Sequence, residues 1–237
     1  MKGNKILISL AVFSIAMGFM ETAVVVYLRE IYYPEGFAFP LQPIDKGIAV
    51  TEILREAATI IMLICTGIFT GRSKTEKFGF FIYCFGIWDI SYYLFLYLLL
   101  GWPESLLTWD ILFLIPVTWV GPVIRPVINS FTMVTLGILI RRFTILNPNT
   151  FIHRNEWIGL ITGSLIVILS YTLDYSKYML EKFTFKEMLW SNDSTALFEH
   201  AGHYIPESFP WWIFIAGQII LLIVLGRFYF RNIHKLK

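Results

Sequence analysis

Residues 78–100 read FGFFIYCFGIWDISYYLFLYLLL, and this stretch is the most informative about the fold. It has 23 residues and one charged side chain, Asp89. A helix needs about 20 residues to cross a hydrocarbon core about 30 Å thick, so the stretch predicts a transmembrane helix. A carboxylate at its middle costs about 2.5–3.5 kcal/mol on insertion scales, so we expect Asp89 to face the interior of a bundle and to find a partner there.

The rest of the chain has the same character. Of its 237 residues, 57% are hydrophobic and 15% are charged, and the mean hydropathy is +0.65. In soluble domains about a quarter of the residues are charged. Apolar runs of spanning length lie near residues 6–28, 48–70, 78–100, 111–140, 157–173 and 210–230. The sequence therefore predicts an all-α, polytopic membrane protein whose single domain is a bundle of about six transmembrane helices.

The fourth of these runs is irregular. Residues 111–130, ILFLIPVTWVGPVIRPVINS, contain Pro116, Gly121, Pro122 and Pro126. Proline removes a backbone donor and clashes with the preceding turn, so one straight helix is not expected. We predict a short or re-entrant piece over 111–120, with 126–141 completing the crossing. Irregular backbone at membrane depth needs protein or water around it, so we also expect a cavity beside this segment.

The distribution of Lys and Arg predicts the orientation. Twelve of the nineteen lie on the side of the two chain ends and five on the opposite side, while Arg55 and Arg125 fall within spans. Cytoplasmic loops carry the excess of positive charge, so both ends are predicted to be cytoplasmic, in a plasma (inner) membrane. The first run has no small-residue cleavage site and is predicted to be an uncleaved span.

Charged side chains within the predicted spans converge on one depth. In this orientation Glu21, Glu52, Arg55, Glu56 and Asp89 fall in the outer half of the membrane. Four acids against the two arginines within spans leave a formal charge of −2 if all are ionised. Such a charge in a poorly hydrated site needs a bound cation, protonated carboxyls or water.

This cluster is the predicted functional site. The predicted catalytic residues are Asp89, Glu56 and Glu52. The predicted substrate-binding residues are Arg55, Arg125, Glu21, Trp88, Tyr92, Tyr93 and Asp110. We expect Arg55 to pair with Asp89, because helical rise puts the two about 6 Å apart along the bundle. Alternatively, Glu52 and Glu56 cap the second helix at the interface, and Asp89 is a structural ion-pair partner.

The outer connection 174–208 is predicted to fold as a cap over the bundle. Its apolar side chains otherwise mark a surface for a protein partner; they are Phe183, Phe185, Leu189, Trp190, Leu197 and Phe198. His200 and His203, three residues apart, are the candidate metal ligands, with a solvated loop as the alternative. Gly159 and Gly163 form a small-xxx-small pair that predicts close helix packing.

Three functions agree with these features. The first is an enzyme or binding protein for an amphiphilic, lipid-like substrate at the outer leaflet, with carboxylates as acid and base. The second is a non-catalytic membrane subunit or scaffold with structural ion pairs, and the third is a small transporter, which an absence of inverted repeats disfavours. Membrane lipid is the predicted partner, and the small, scattered net charge of +2 excludes a nucleic-acid footprint. No cofactor motif is identified, and a bound cation at the acidic cluster is the one candidate.

Overall fold

A computed structural model describes residues 2–184, 186–187 and 194–234 of the chain. The helices are α1 (Lys2–Tyr32), α2 (Lys46–Thr70), α3 (Lys74–Leu100), α4 (Ile124–Leu146), α5 (Arg154–Leu180), α6 (Ser194–Gly202) and α7 (Trp211–His234). Two short strands, β1 (Trp109–Phe113) and β2 (Trp119–Pro122), lie between α3 and α4. The fold is 74% helical, which agrees with the predicted fold class.

Among the residues described above, five helices are long and apolar enough to cross a membrane by length and composition, namely α1, α3, α4, α5 and α7. The prediction of an apolar helical bundle is confirmed at this level. A further long helix, α2, has 25 residues and carries Glu52, Arg55 and Glu56 in its first half. Its crossing of the membrane stays a prediction.

Local signals in the sequence fix where α2 and α3 begin and end. The Asp45 carboxylate caps α2 by accepting the backbone N–H groups of Gly47 at 2.8 Å and Ile48 at 3.4 Å. Ser73 caps α3 through the N–H of Glu76 at 3.1 Å. Gly101, at φ 64°, takes the left-handed conformation that ends α3. Such caps satisfy backbone groups that have no partner within the helix, so both helices have sharp limits.

The segment rich in proline forms a β-hairpin followed by a helix. β1 and β2 pair antiparallel, and Pro116 lies in the connection between them. The N–H of Ile124 donates to Leu106 O at 2.7 Å, which ties the start of α4 to the chain before the hairpin. The predicted break is therefore present, but α4 begins at Ile124, and the part before it is extended. Whether the hairpin re-enters the membrane stays a prediction.

Close helix contacts hold the bundle together at glycines. α3 packs against α1, α2 and α4, while α5 packs against α7. A Cβ atom at Gly86 would lie 2.7 Å from Ser130 O on α4, and one at Gly163 would lie 3.1 Å from Gly217 O on α7. Both distances are shorter than van der Waals contact allows. The close packing predicted at Gly163 is confirmed, because its backbone approaches that of α7.

The bundle has two chemically different ends. α1 begins and α7 ends at one of them, which we call the terminal end; the hairpin lies at the other, which we call the hairpin end. At the terminal end Arg141 pairs with Glu76 at 2.7 Å, and Arg231 pairs with Glu156 at 2.8 Å. At the hairpin end the helices separate around a cavity.

Candidate functional site

A cavity of about 250 Å³ lies at the hairpin end, enclosed by α1, α2, α3 and β1. Its apolar walls include Val25, Leu28, Ile44 and Leu112. Its charged lining residues are Glu21, Arg29, Glu52, Arg55, Glu56, Asp89 and Asp110. Five carboxylates and two guanidinium groups thus face a space whose other walls are mostly apolar.

Arg55 is the centre of one charged group in this cavity. Its guanidinium pairs with Glu21 on α1 and with Glu52 one turn earlier on α2, the latter at 2.7 Å from Nη2 and 2.9 Å from Nε. Thr59 donates from its hydroxyl to the same Glu21 carboxylate at 3.1 Å. One arginine therefore joins two helices through two carboxylates, which leaves this group with a formal charge of −1.

The expected pairing of Arg55 with Asp89 is wrong. Asp89 instead accepts a hydrogen bond from Ser130 Oγ on α4 at 2.6 Å. Helices α2 and α3 touch at the terminal end, where a Cβ atom on Gly67 would meet the backbone of Lys77. At the depth of Arg55 the cavity lies between them, so Glu21 from α1 and Glu52 reach the guanidinium instead.

A second pair joins α1 to the hairpin. Arg29 Nη2 lies 3.3 Å from Asp110 Oδ1, and both side chains are less than 10% exposed. The guanidinium also stacks on Trp102, 3.7 Å from the ring centroid, and on Phe37 at 4.6 Å. Tyr93 donates from its hydroxyl to Asp110 Oδ2 at 3.3 Å. Aromatic faces stabilise a poorly hydrated cation, so this pair anchors β1 to the end of α1.

Burial dominates the ionisation of Asp110. It raises the pKa of this carboxyl from 3.8 to about 6, and the nearby Arg29 charge, the Ile111 N–H and the Tyr93 hydroxyl oppose the shift only in part. A long contact with one arginine does not replace the lost hydration.

Two carboxylates in the cavity have no cationic partner. Glu56, which is 7% exposed, accepts the N–H of Leu114 at 2.8 Å, and Asp89 accepts from Ser130. Among the described residues, neither has an Arg, Lys or His nitrogen within 4 Å. These two are the acidic groups at this site that the protein leaves available.

Most of the predicted site residues line this cavity. They are Glu21, Glu52, Arg55, Glu56, Trp88, Asp89, Tyr92 and Asp110. The placement of Arg125 and Tyr93 needs correction, because neither lines it. Tyr93 lies behind the wall, bonded to Asp110. Tyr92 lies within electrostatic range of both arginines of the cavity, Arg29 and Arg55.

Arg125 occupies a different environment. It is fully buried near the start of α4, with its guanidinium 3.7 Å from the Trp211 ring centroid and against the Phe209 ring. None of its three side-chain nitrogens has a hydrogen-bond partner among the residues that the structure describes. Arg125 is not among the residues that line the cavity, so its predicted role in substrate binding there has no geometric support.

Sequence reasoning missed Arg29. In the sequence the apolar run ends at Leu28, so Arg29 is predicted to lie in the outer loop. In the structure α1 continues to Tyr32 and includes Arg29. Helical periodicity offered a signal, because Arg29 lies two turns after Glu21 and thus on a neighbouring part of the same helix face. An arginine within one turn of a proposed span end is worth testing as a site residue.

The described part of the predicted cap packs on the hairpin end. The Tyr204 hydroxyl donates to Asp174 at 2.6 Å, and Leu197 packs near the buried Tyr204 side chain. Ala201 and Gly202 of α6 line the cavity. Phe185, Leu189 and Trp190 lie outside the described residues, as does the side chain of Phe198, so for them the cap stays a prediction.

The two candidate metal ligands make separate contacts. The His200 ring stacks on Tyr178 at a centroid distance of 4.4 Å, whereas His203 Nδ1 faces Glu199 O at 2.8 Å. Within residues 2–184, 186–187 and 194–234, no group of three or more His, Cys, Asp and Glu side chains is arranged to hold a metal ion. A bound cation at the acidic cluster stays a prediction.

No protein-family model, no curated protein and no solved structure matches this chain.

Proposed function

We propose that this chain is a multi-pass membrane protein that binds or processes, by acid–base chemistry, an amphiphilic, lipid-like molecule in the hairpin-end cavity. The main support for this proposal is the lining of the cavity, where apolar walls meet five carboxylates and two guanidinium groups. An amphiphile needs both kinds of surface, one for its chain and one for its head group. Buried sites with a few convergent polar groups are typical of ligand pockets.

The proposed chemistry rests on Glu56 and Asp89. A general acid or base must exchange a proton with the ligand, and a carboxylate already paired with arginine is poorly suited to that. Glu52 is paired with Arg55 at 2.7 Å, so in this proposal it positions Arg55. Glu56 and Asp89 each accept one hydrogen bond from an uncharged donor. They are therefore the proposed acid and base.

The proposal includes six crossings with both ends in the cytoplasm, so that the cavity faces the outer leaflet. A membrane-impermeant maleimide applied to intact cells tests this, in a background without Cys65 and Cys84. Lys74→Cys is exposed at the terminal end, and Glu104→Cys is exposed at the hairpin end. We expect labelling at 104 and none at 74 until the membrane is permeabilised. The reverse pattern overturns the orientation.

A scaffold is the second candidate, and a specific observation favours it. The pairs of Arg29 with Asp110 and of Arg55 with Glu21 join α1 to β1 and to α2, as structural ion pairs do. Two carboxylates without a cation and a cavity between the helices are features that a scaffold does not need.

A variant that fills the cavity separates the two candidates. Ala49 lines the cavity, whereas Ala58 lies exposed on the same helix. We expect Ala49→Trp to lower the binding of an amphiphile in detergent by tenfold or more, and Ala58→Trp to leave it unchanged. Native mass spectrometry of the purified protein measures the bound amphiphile. Equal binding by both variants contradicts the proposed function and favours the scaffold.

A further inference from the structure

The head-group class of the ligand follows from which charges the protein leaves without a partner. Arg29 is engaged with Asp110, and Arg55 with Glu21 and Glu52. No lysine is among the described residues that line the cavity. An anionic head group would therefore find both cations already neutralised, and it would face the two unpaired carboxylates.

Within the described ranges, Glu56 and Asp89 each have one carboxylate oxygen to which no hydrogen bond is donated. The bond from Leu114 N–H uses Oε2 of Glu56, and the bond from Ser130 uses Oδ2 of Asp89. The remaining oxygens, Oε1 and Oδ1, belong to side chains that line the cavity. A carboxylate only accepts hydrogen bonds when ionised, so these oxygens call for a donor, and a charged donor gives the strongest bond.

An independent observation comes from Trp88, the residue before Asp89. Trp88 is among the residues that line the cavity and is 7% exposed, yet within the described part of the chain its indole Nε1–H has no acceptor. Arg29 Nη1, also buried on the cavity wall, likewise has no hydrogen-bond partner in the described part of the chain. Buried donors without acceptors are costly. They indicate that the ligand brings an oxygen as well as a cationic donor.

We propose that the ligand is an amphiphile whose head group carries a protonated primary amine and a nearby oxygen acceptor. The ammonium contacts Glu56 and Asp89, and the oxygen accepts from Trp88 Nε1–H. This inference rests on the proposed function, since it names the class of molecule that the same cavity takes. A primary ammonium suits the two carboxylates because it offers three N–H donors together with its charge.

Three lysophospholipids with the same acyl chain test the head group. Lysophosphatidylethanolamine has a primary ammonium, lysophosphatidylcholine has a quaternary ammonium without N–H donors, and lysophosphatidylglycerol has no amine. All three share the phosphate and glycerol oxygens. Their binding to the full chain in a non-ionic detergent is measured by native mass spectrometry. We expect the ethanolamine lipid to bind at least tenfold more tightly than either of the others.

Matched variants assign the effect to the named residues. Glu56→Gln and Asp89→Asn should each reduce the preference for ethanolamine over glycerol to less than threefold. Glu30→Gln removes the same charge from an exposed position near the hairpin end, outside the cavity lining, and should leave the preference unchanged. Trp88→Phe should weaken both lipids alike, because it removes a donor to an oxygen that they share. The preference is a ratio within one preparation, so it does not depend on how much protein folds.

The outcomes separate this inference from the proposed function. Equal binding of the three lipids, abolished by Ala49→Trp, overturns the primary amine and leaves the amphiphile site standing. Binding of the choline lipid as tight as that of the ethanolamine lipid overturns the carboxylate contacts and indicates recognition by aromatic faces. Binding of no lipid, or binding that Ala49→Trp does not change, overturns both.

Discussion

The two ends of the bundle use the same residue types in different arrangements. At the terminal end each buried carboxylate has its own arginine, as Glu76 has Arg141 and Glu156 has Arg231. At the hairpin end one arginine pairs with two carboxylates, and two more carboxylates have no arginine partner among the described side chains. The first arrangement neutralises charge and closes the helices on each other. The second leaves acidic groups facing an open volume.

Charge count alone therefore does not identify a site within an apolar helical bundle. Ion pairs hold helices together at both ends, so an ionisable residue in a long apolar helix is not by itself functional. The hairpin end differs because carboxylates without a cationic partner lie beside an open cavity. The described side chains neither neutralise these carboxylates nor fill the cavity. Breaking selected contacts at each end tests this distinction.

The largest effect should come from the terminal end. Arg231→Ala leaves Glu156, 1% exposed in its side chain, without its only charged partner among the described residues. Removing one partner of a buried pair typically costs about 3–5 kcal/mol, because the other charge stays buried. Chemical denaturation in detergent measures the loss. Arg227→Ala, an exposed arginine one turn earlier, is the control, and an equal loss in both would contradict a closed, buried pair.

A smaller effect is expected for Arg55→Ala at the hairpin end. The Arg55 side chain is 20% exposed beside the cavity, so water can replace part of the lost contact, and we expect about 1–2 kcal/mol. Double-mutant cycles measured by thermal unfolding sharpen the assignment. Arg55→Ala should be non-additive with Glu21→Gln and additive with Asp89→Asn. The opposite result would restore the pairing expected from the sequence.

The titration of Asp110 should make the stability of the hairpin end depend on pH. Because burial raises the pKa of Asp110 to about 6, its protonation favours the folded chain. Its contribution is fully present below about pH 4 and is lost as the pH rises through 6. Lowering the pH from 7 to 5 should therefore stabilise the protein by about 1 kcal/mol relative to Asp110→Asn.

Parallel unfolding measurements on the wild type and Asp110→Asn isolate this group, because the other carboxylates titrate in both proteins. A difference between the two that is constant from pH 7 to pH 5 would mean that the Asp110 pKa is not raised. A wild type that loses stability relative to the variant as the pH falls would mean that the Arg29 charge outweighs burial.

The smallest effect concerns the cover of the cavity. Tyr204→Phe removes the hydroxyl that donates to Asp174 at 2.6 Å, which should cost about 1 kcal/mol at most. The change should be local. Amide hydrogen exchange should become faster in α6, and its rate in α4 should stay the same. Tyr229→Phe, whose residue lies at the terminal end, is the control. Unchanged exchange in α6 would show that the cover is held by its apolar contacts alone.

Several of the residues that the sequence grouped together line one cavity. The helical rise put Glu52, Arg55, Glu56 and Asp89 at one level, and all four line the cavity. It could not give their lateral partners, because a difference of a few ångströms between helix axes decides whether Arg55 reaches Glu21 or Asp89. Such distances depend on packing at residues such as Gly67, which lies about three turns beyond Arg55 on the same helix.

The hairpin shows a second limit of the sequence. Pro116 and Pro122 predicted a break in the fourth run, but short apolar runs fit extended and helical backbone equally well. The strands form because β2 packs on α5, where Trp119 stacks on Tyr171. That tertiary contact selects the extended form, and no local pattern predicts it.

The sequence separation between ion-pair partners determines the order in which the pairs can form during synthesis. Arg29 and Asp110 are 81 residues apart, and translation at about 5–20 residues per second separates them by about 4–16 seconds. During that interval Arg29 on α1 has been synthesised, but its partner Asp110 has not. Arg55, the partner of Glu21, follows only 34 positions later in the chain. Helices α1 and α2 can therefore associate early during synthesis, and the cavity gains its hairpin wall only after a pause of seconds.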